Sequence, residues 1–454
     1  MTPPGRESSG PAVLRDGEPV AARRARIKQR ARTHGSEPFD NLFSQLDGVM
    51  LRHAFEQLET GRAVGVDGIS TEEYEVGLES RLTALQDRLH RETYRPLPSR
   101  RRWIPKGDGR KRPLGIPATE DKVVQRALAC VLTEVYEEEF YDFSWGFRPG
   151  RSCHDALRAL GHHIARDRVN WVVEADIKGF FDNVDHEWLL KMVGHRVRDQ
   201  RVRRLIQRML EAGVMEDGSR LDTEKGTPQG GVISPLLANV YLHYVVDDWF
   251  VKVVKRDSKG QAHLVRFADD FVACFEVESD AAKFRRSLEQ RLSRFGLELE
   301  LTKTRTLRFG RFAARDAKRR GERVAVFDFL GFTHYCGTSR AGWFKLKRRT
   351  SKKRLRAKLH AVRDWIRSHL TLPVGDLWET VNRKLVGHYT YYHVSDNWAL
   401  VMSFRWQTLK ALYWGLNRRS QSRSMTWRTF LAYVDRHPLA APRRVVNLNP
   451  APVS

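Results

Sequence analysis

The stretch His263-Leu264-Val265-Arg266-Phe267-Ala268-Asp269-Asp270-Phe271-Val272-Ala273-Cys274-Phe275 decides how the chain is read. Two short runs of β-branched, aromatic and small apolar residues flank a pair of adjacent aspartates. That pattern predicts two antiparallel strands joined by a tight turn, with the carboxylates at its tip. Side chains alternate between the faces of a strand, so a turn is needed to bring both acids to one side. Aspartate is also a common turn former, which makes an ordinary solvated turn the competing reading. A third carboxylate decides against it. Asp176 ends another apolar run, Trp171-Val172-Val173-Glu174-Ala175. With the two runs side by side, Asp176 and Asp269 face each other across a narrow gap, and such a pair repels itself unless divalent cations neutralise it. Hard oxygen ligands of this kind suit magnesium.

Around this stretch the composition is strongly basic. Eighty Lys and Arg stand against 55 Asp and Glu, a net +25 over 454 residues. The excess points to a polyanionic partner, and the length allows two or three domains. No apolar run approaches a spanning length and no basic amphipathic anchor stands alone, so nucleic acid is favoured over a membrane. Cys130, Cys153, Cys274 and Cys336 lie far apart without paired spacing. This argues against a zinc module or a disulfide framework, so no zinc is expected. Residues 1–20 lack the apolar core of a signal peptide, and the expected location is the cytoplasm.

Other segments add to the pattern. Residues 1–37 are rich in Pro, Gly, Ser and Arg, which predicts a flexible start and a short basic helix, resting on RNA or simply solvated. RRWIPKGDGRKRPLGIP, residues 101–117, reads as a second hairpin with Lys106 and Arg112 on its two arms. Two fixed cations at a hairpin tip can hold a polyphosphate. Val124, Leu128, Val131 and Val135 recur at helical spacing as a core face. Phe143-Ser144-Trp145-Gly146-Phe147-Arg148-Pro149-Gly150-Arg151-Ser152 mixes rings, glycines and arginines. The blend suits a template track with Arg148 and Arg151 on phosphates, while Trp145 and Phe147 are stacking platforms or core anchors. GTPQGGVISPLLANVYL, residues 226–242, places glycines before a helix starting near Ser234-Pro235. Toward the C-terminus, Leu355, Leu359, Val362 and Ile366 mark one helix face, and Met402, Trp406, Leu409, Tyr413 and Leu416 another, with a third helix around 377–392. Lys345, Lys347, Arg348, Arg349, Lys352, Lys353 and Arg356 lie off these stripes as a basic surface.

Phe267-Ala268-Asp269-Asp270 resembles the polymerase signature of reverse transcriptases, in the version used by group II intron-encoded proteins, with Phe267 where the family usually has Tyr. The resemblance runs in the family's motif order over roughly residues 40–440. It implies an α+β right-hand polymerase, with fingers and an antiparallel palm over 38–335. A basic segment at 1–37 precedes it, and a helical thumb/maturase domain at 336–440 and a tail at 441–454 follow. The thumb assignment rests on Arg418-Arg419-Ser420-Gln421 and Thr426-Trp427-Arg428-Thr429-Phe430, which resemble the maturase domain. Arg418 and Arg419 would join the nucleic-acid-binding cations.

The implied reaction is RNA-directed DNA synthesis by a two-metal mechanism. Asp176, Asp269 and Asp270 are the catalytic acids, with Mg2+ held by Asp176, Asp269 and the backbone at Ile177. The dNTP site comprises Lys106, Arg112, Ile177, Phe181, Gln229 and Lys303. The Phe181 ring beneath the sugar would exclude a 2′-hydroxyl. Lys303 follows Thr302, where many relatives have Glu. Implied partners are the parent group II intron RNA, an RNA template with DNA primer, target DNA and dNTPs, with nucleoid association in a bacterium. No His-Asn-His endonuclease pattern is recognised, so the priming 3′-hydroxyl is expected from elsewhere. A related reverse transcriptase recruited to host defence and a non-catalytic splicing chaperone are the alternatives. The intact acids speak against the chaperone, and the maturase-like segments against the defence reading.

Overall fold

The computed structural model describes residues 18–35, 37–105, 111–216, 219–221, 225–227, 230–339, 341–419 and 424–448. β1 (Ser99–Pro105) and β2 (Lys111–Ile116) are the arms of the expected hairpin, antiparallel with Arg100 opposite Ile116. β3 (Trp171–Asp176) precedes two short strands, β4 (Val214–Glu216) and β5 (Ser219–Leu221), which extend the hairpin into a sheet of order β2-β1-β4-β5. β6 (Ala262–Phe267), β7 (Asp270–Phe275) and β8 (Arg305–Arg308) join β3 in the order β6-β7-β3-β8, antiparallel throughout. β9 (Phe327–Phe329), β10 (Phe332–Thr338) and β11 (Phe344–Thr350) form a third sheet. Helices Lys352–Ser368, Val374–Tyr392, Trp398–Asn417 and Trp427–Arg436 complete the α+β chain.

The sheet containing β3, β6 and β7 is buried on both faces. Val173, Ala175, Leu264, Phe271, Ala273 and Phe275 point into one core, shared with helices Thr119–Tyr136, Ser234–Leu242 and Glu278–Arg294. Val172, Val265, Val272 and Cys274 alternate with them into a second core, shared with helix Cys153–Arg166 and the C-terminal helices. Two-sided burial is why these strands read as continuous apolar runs and not as alternation. It also leaves only the strand ends open to a substrate.

Three expectations need correction. The basic N-terminal segment is not free. Helix Val20–Thr33 buries Val20, Ile27 and Ala31, and Arg23, Arg24 and Lys28 pair with Asp47, Glu134 and Glu138. Three of its cations are thus paired with acids from later segments of the chain. The expected boundary at 335/336 falls inside β10, which pairs with β11 from Phe332 opposite Thr350 to Thr338 opposite Phe344. Helical structure resumes only at Lys352, so Lys345, Lys347, Arg348 and Arg349 lie on a strand. Finally, helix Trp398–Asn417 buries Val401, Phe404, Thr408, Leu409, Leu412 and Gly415, a face rotated from the expected stripe. Trp406 and Tyr413 instead meet Trp427 with ring centroids 5.7 and 4.8 Å apart. The helix is apolar on two sides because it packs on two sides.

Within this C-terminal core, His388 stacks on Phe404 at 3.8 Å and on Tyr392 at 4.8 Å, and neither ring nitrogen makes a hydrogen bond. Burial, with help from Lys358, pushes its pKa down to about 3 from an ordinary 6.5. The unfolded chain therefore takes up a proton that the fold excludes, and stability is lost as pH falls from 6.5 towards 3. Replacing His388 with Phe keeps the stacking and removes this cost. Denaturant melts between pH 6 and 4 should show a pH slope reduced by up to about 1.4 kcal/mol per pH unit.

Candidate active site

Backbone register gathers the acids. Phe267 pairs with Asp270 across the β6–β7 hairpin, leaving Ala268 and Asp269 as a two-residue turn, with Ala268 at φ +56. A left-handed residue suits such a turn because its twist matches that of the strands. On the other side of β7, Asp176 lies directly opposite Asp270. The sequence expectation paired Asp176 with Asp269; the sheet pairs it with Asp270, and the turn brings Asp269 alongside. Burial first, and then the neighbouring Asp176, raise the Asp269 pKa. Asp270 is pushed up to about 7 by burial and then by Asp269 and Asp176, against a backbone hydrogen bond at Leu330. Clustered carboxylates that resist ionising together are suited to a divalent cation, so the residues present fit magnesium. Asp176 and Asp269 are the side chains that would hold it, and Ile177, its own side chain in the core, could add only backbone.

Lys303 contacts Asp176 Oδ2 directly. Its loop is tied to β3 by the Glu300 amide, which donates to Asp176 O at 2.8 Å. Exposed Arg112, on the hairpin arm, is among the cations that offset the rise at Asp269. Of the adjacent phenylalanines, Phe180 is buried and Phe181 only half-buried. The Thr227 amide donates to Phe181 O at 2.8 Å. Gly226, at φ +91, passes so close that an added Cβ would lie 2.9 Å from that same oxygen. This approach is what its glycine permits, and it brings the 226–242 run against the Phe181 segment. Lys106 and Gln229 lie outside the described residues.

The support beneath the turn escaped the sequence reading. Arg266 is fully buried on β6. Its guanidinium spans Asp247 with bonds of 2.7 and 2.5 Å, and donates to Asn239 Oδ1 at 3.0 Å, Ser144 Oγ at 2.6 Å and Ala268 O at 3.1 Å. Five bonds match the five N–H groups an arginine owns. The Arg266 amide donates to Phe143 O, and the Trp145 amide to Arg266 O. Gly146 lies against the turn, where a Cβ would stand 2.4 Å from the Ala268 nitrogen. A lone charge within an apolar strand was the available signal, but its side-chain partners, Asp247, Asn239 and Ser144, come from elsewhere in the chain.

Three expected nucleic-acid contacts are corrected. Arg148 is buried, with Nε and Nη2 each 3.0 Å from the Glu137 carboxylate and Nη1 2.8 Å from the carbonyl oxygens of Tyr141 and Ser144. Arg151 is a loop staple, bonded to Asp142 and lying over the Trp145 ring. Loop 143–152 is therefore less a template track than a buttress, because its backbone carbonyls need donors. Arg348 is also buried, donating to Leu157 O and Leu448 O, and burial pushes its pKa down to about 10. Arg349, Lys352, Lys353, Arg356, Arg418 and Arg419 are exposed.

A family model described as reverse transcriptase (RNA-dependent DNA polymerase) matches residues 104–334. The chain belongs to the reverse transcriptase family. It counts among its relatives a protein named as group II intron-encoded. It is 38% identical over 235 residues to "Group II intron-encoded protein LtrA" of Lactococcus lactis subsp. cremoris, covering 50% of this chain and 39% of LtrA. It is 35% identical over 274 residues to "Protein YkfC" of Escherichia coli (strain K12), covering 53% of this chain and 71% of YkfC. A 91 kDa protein in the cob intron of Schizosaccharomyces pombe is 41% identical over 174 residues, 38% of this chain and 21% of that protein. The chain thus spans about two fifths of LtrA's length. No described helix of this reverse transcriptase family member is long and apolar enough to cross a membrane.

Removing Arg266 alone orphans a buried Asp247 carboxylate. Arg266→Met is expected to cost about 3–5 kcal/mol in denaturant unfolding. Arg266→Met combined with Asp247→Leu should recover more than half of that loss, because no buried charge is left unpaired.

Proposed function

We infer that this chain is an RNA-directed DNA polymerase that also binds its parent group II intron RNA, assists its splicing and copies it after insertion into DNA. The carrying observation is the meeting of Asp176, Asp269 and Asp270 at the open end of a sheet otherwise buried on both faces, with two of the three pKa values raised. A scaffold that only bound RNA would gain nothing from holding these acids together. Magnesium bound there would help deprotonate a primer 3′-hydroxyl and neutralise the departing pyrophosphate. Asp176 and Asp269 hold charge at the reacting end, and Asp270 supports them from the strand. Arg112, Lys106 and Lys303 supply cations for the triphosphate. Gln229 and the Ile177 backbone complete the dNTP site, with Phe181 beneath the sugar.

The thumb reading begins at Lys352 and draws support from a groove between helices Lys352–Ser368 and Trp398–Asn417. Arg363, Arg367, Gln407, Lys410, Trp414 and Arg418 line it. Cations beside an exposed indole suit phosphates beside stacked bases. The intron reading is further supported by likeness to a protein named as group II intron-encoded. RNA template, DNA primer, dNTPs and target DNA are the partners this activity requires.

Asp176→Asn and Asp269→Asn should each reduce primer extension on an RNA template to background while RNA affinity in a filter-binding assay stays unchanged. Undiminished extension by either variant would overturn the assignment. Phe181→Ala should raise ribonucleotide incorporation relative to deoxynucleotide by about tenfold or more, since only ring bulk excludes the hydroxyl. Equal discrimination by variant and wild type would move the gate away from this ring.

A further inference from the structure

At the other end of β6 from the catalytic turn lies a cluster with a different chemistry. His163 belongs to helix Cys153–Arg166, Asp167 caps that helix, and His263 is the second residue of β6. One ligand atom from each lies within 4.8 Å of the others. His163 Nδ1 is 2.7 Å and His263 Nε2 is 3.3 Å from the same oxygen, Asp167 Oδ2. The imidazoles stack at 4.2 Å between centroids. Two rings compete for one carboxylate oxygen, and His263 Nε2 is left buried without a hydrogen bond. All three side chains keep between a fifth and a quarter of their surface exposed, so water can reach the cluster. His163 and His263 also line a cavity of 250 Å3, which Lys255 and Trp145 share.

We propose that His163, Asp167 and His263 form a zinc site that clips helix Cys153–Arg166 to the start of β6. Two imidazoles and one carboxylate make a mixed nitrogen–oxygen donor set, which suits zinc, whereas magnesium and calcium take oxygen alone. Three protein ligands leave a fourth tetrahedral position for the water that the partial exposure admits. Zinc bonds of about 2.0–2.1 Å at tetrahedral angles separate ligand atoms by about 3.3–3.4 Å. The His263–Asp167 separation of 3.3 Å is already of that size. The 2.7 Å His163–Asp167 contact would open by somewhat over half an ångström, about the difference from that tetrahedral spacing, as zinc replaces the proton between them. Lys255 opposes a cation here, Asp167 favours one, and exposed His162 flanks His163 with centroids 5.9 Å apart.

The expectation of no zinc rested on cysteine spacing alone. These ligands are histidines a hundred positions apart in the chain, joined only by the packing of helix on strand. Four residues of strand rise, about 13 Å, carry the chain from His263 to Phe267 at the edge of the turn, so this ion is not one of the catalytic cations. The inference is independent of the polymerase reading. Its structural consequence is to fix the strand that carries Arg266 and the catalytic turn.

The full chain, stripped with EDTA and dialysed, is titrated with zinc chloride against a fluorescent chelator. Wild type, Asp176→Asn/Asp269→Asn, and His163→Gln/His263→Gln are compared, with melting temperature as a second readout. One zinc should bind wild type and the aspartate variant equally, raise both melting temperatures, and bind the histidine variant at least tenfold more weakly. Should the histidine variant fail to fold, Asp167→Asn carries the same expectation. Equal zinc affinity in the ligand variants and wild type would overturn the site, as would zinc binding that disappears only in the aspartate variant. No measurable zinc binding by wild type would overturn it too.

Discussion

A single buried guanidinium underlies the turn that carries the paired aspartates. Arg266 sits on the strand leading into the Ala268–Asp269 turn and draws together helical Asp247 and Asn239, Ser144 of the preceding loop, and the carbonyl of Ala268 within the turn. An ion pair sealed from water gains much Coulomb energy but also suffers a large desolvation penalty, so it persists only when every donor is used. Here every donor is used. The arrangement converts that requirement into positional accuracy, because the turn, tied to Arg266 through Ala268 O, cannot move without straining bonds to Asp247, Asn239 and Ser144. Asp247 ends a wide helical turn, His243–Asp247, a local irregularity of the kind that often serves a site.

The chain carries +25 overall, yet its open sheet end concentrates three carboxylates. Two of them, Asp269 and Asp270, are held in surroundings that disfavour their charge, which creates a demand for cations. Lys303 meets part of that demand at Asp176, and Arg112 part of it at Asp269. The remaining basic charge divides into two populations. Arg23, Arg148 and Arg348 are interior struts, each committed to carboxylates or carbonyl oxygens. Arg349, Lys352, Arg356 and the groove around Trp414 face solvent. Only the second population is open to a phosphate backbone, so net charge overstates the surface offered to nucleic acid.

Much was determined by the sequence alone. The two apolar runs around Asp269-Asp270, the third ending at Asp176, and the hairpin at 101–117 were legible because strand periodicity and turn chemistry are local properties. The helix at 119–136 and the glycines before Ser234 were legible for the same reason. Which of Phe180 and Phe181 is core was not derivable from spacing, since adjacent rings have equal claims until a second layer is packed. The register that sets Asp176 opposite Asp270, and not Asp269, belongs to the sheet.

The arginines mark where tertiary structure took over. A guanidinium reads the same in sequence whether it grips a phosphate, as expected of Arg148 and Arg348, or a carbonyl 2.7 Å away in the core, as Arg348 does with Leu157. Helix Val20–Thr33 looked like a basic tail because its partners, Asp47, Glu134 and Glu138, come from elsewhere in the chain. His163 and His263 meet for a like reason. Local pattern carries backbone conformation and the identity of chemical groups. Long-range packing alone determines which groups lose water, and it is the loss of water that turns a charge into a strut, a ligand or a reacting acid.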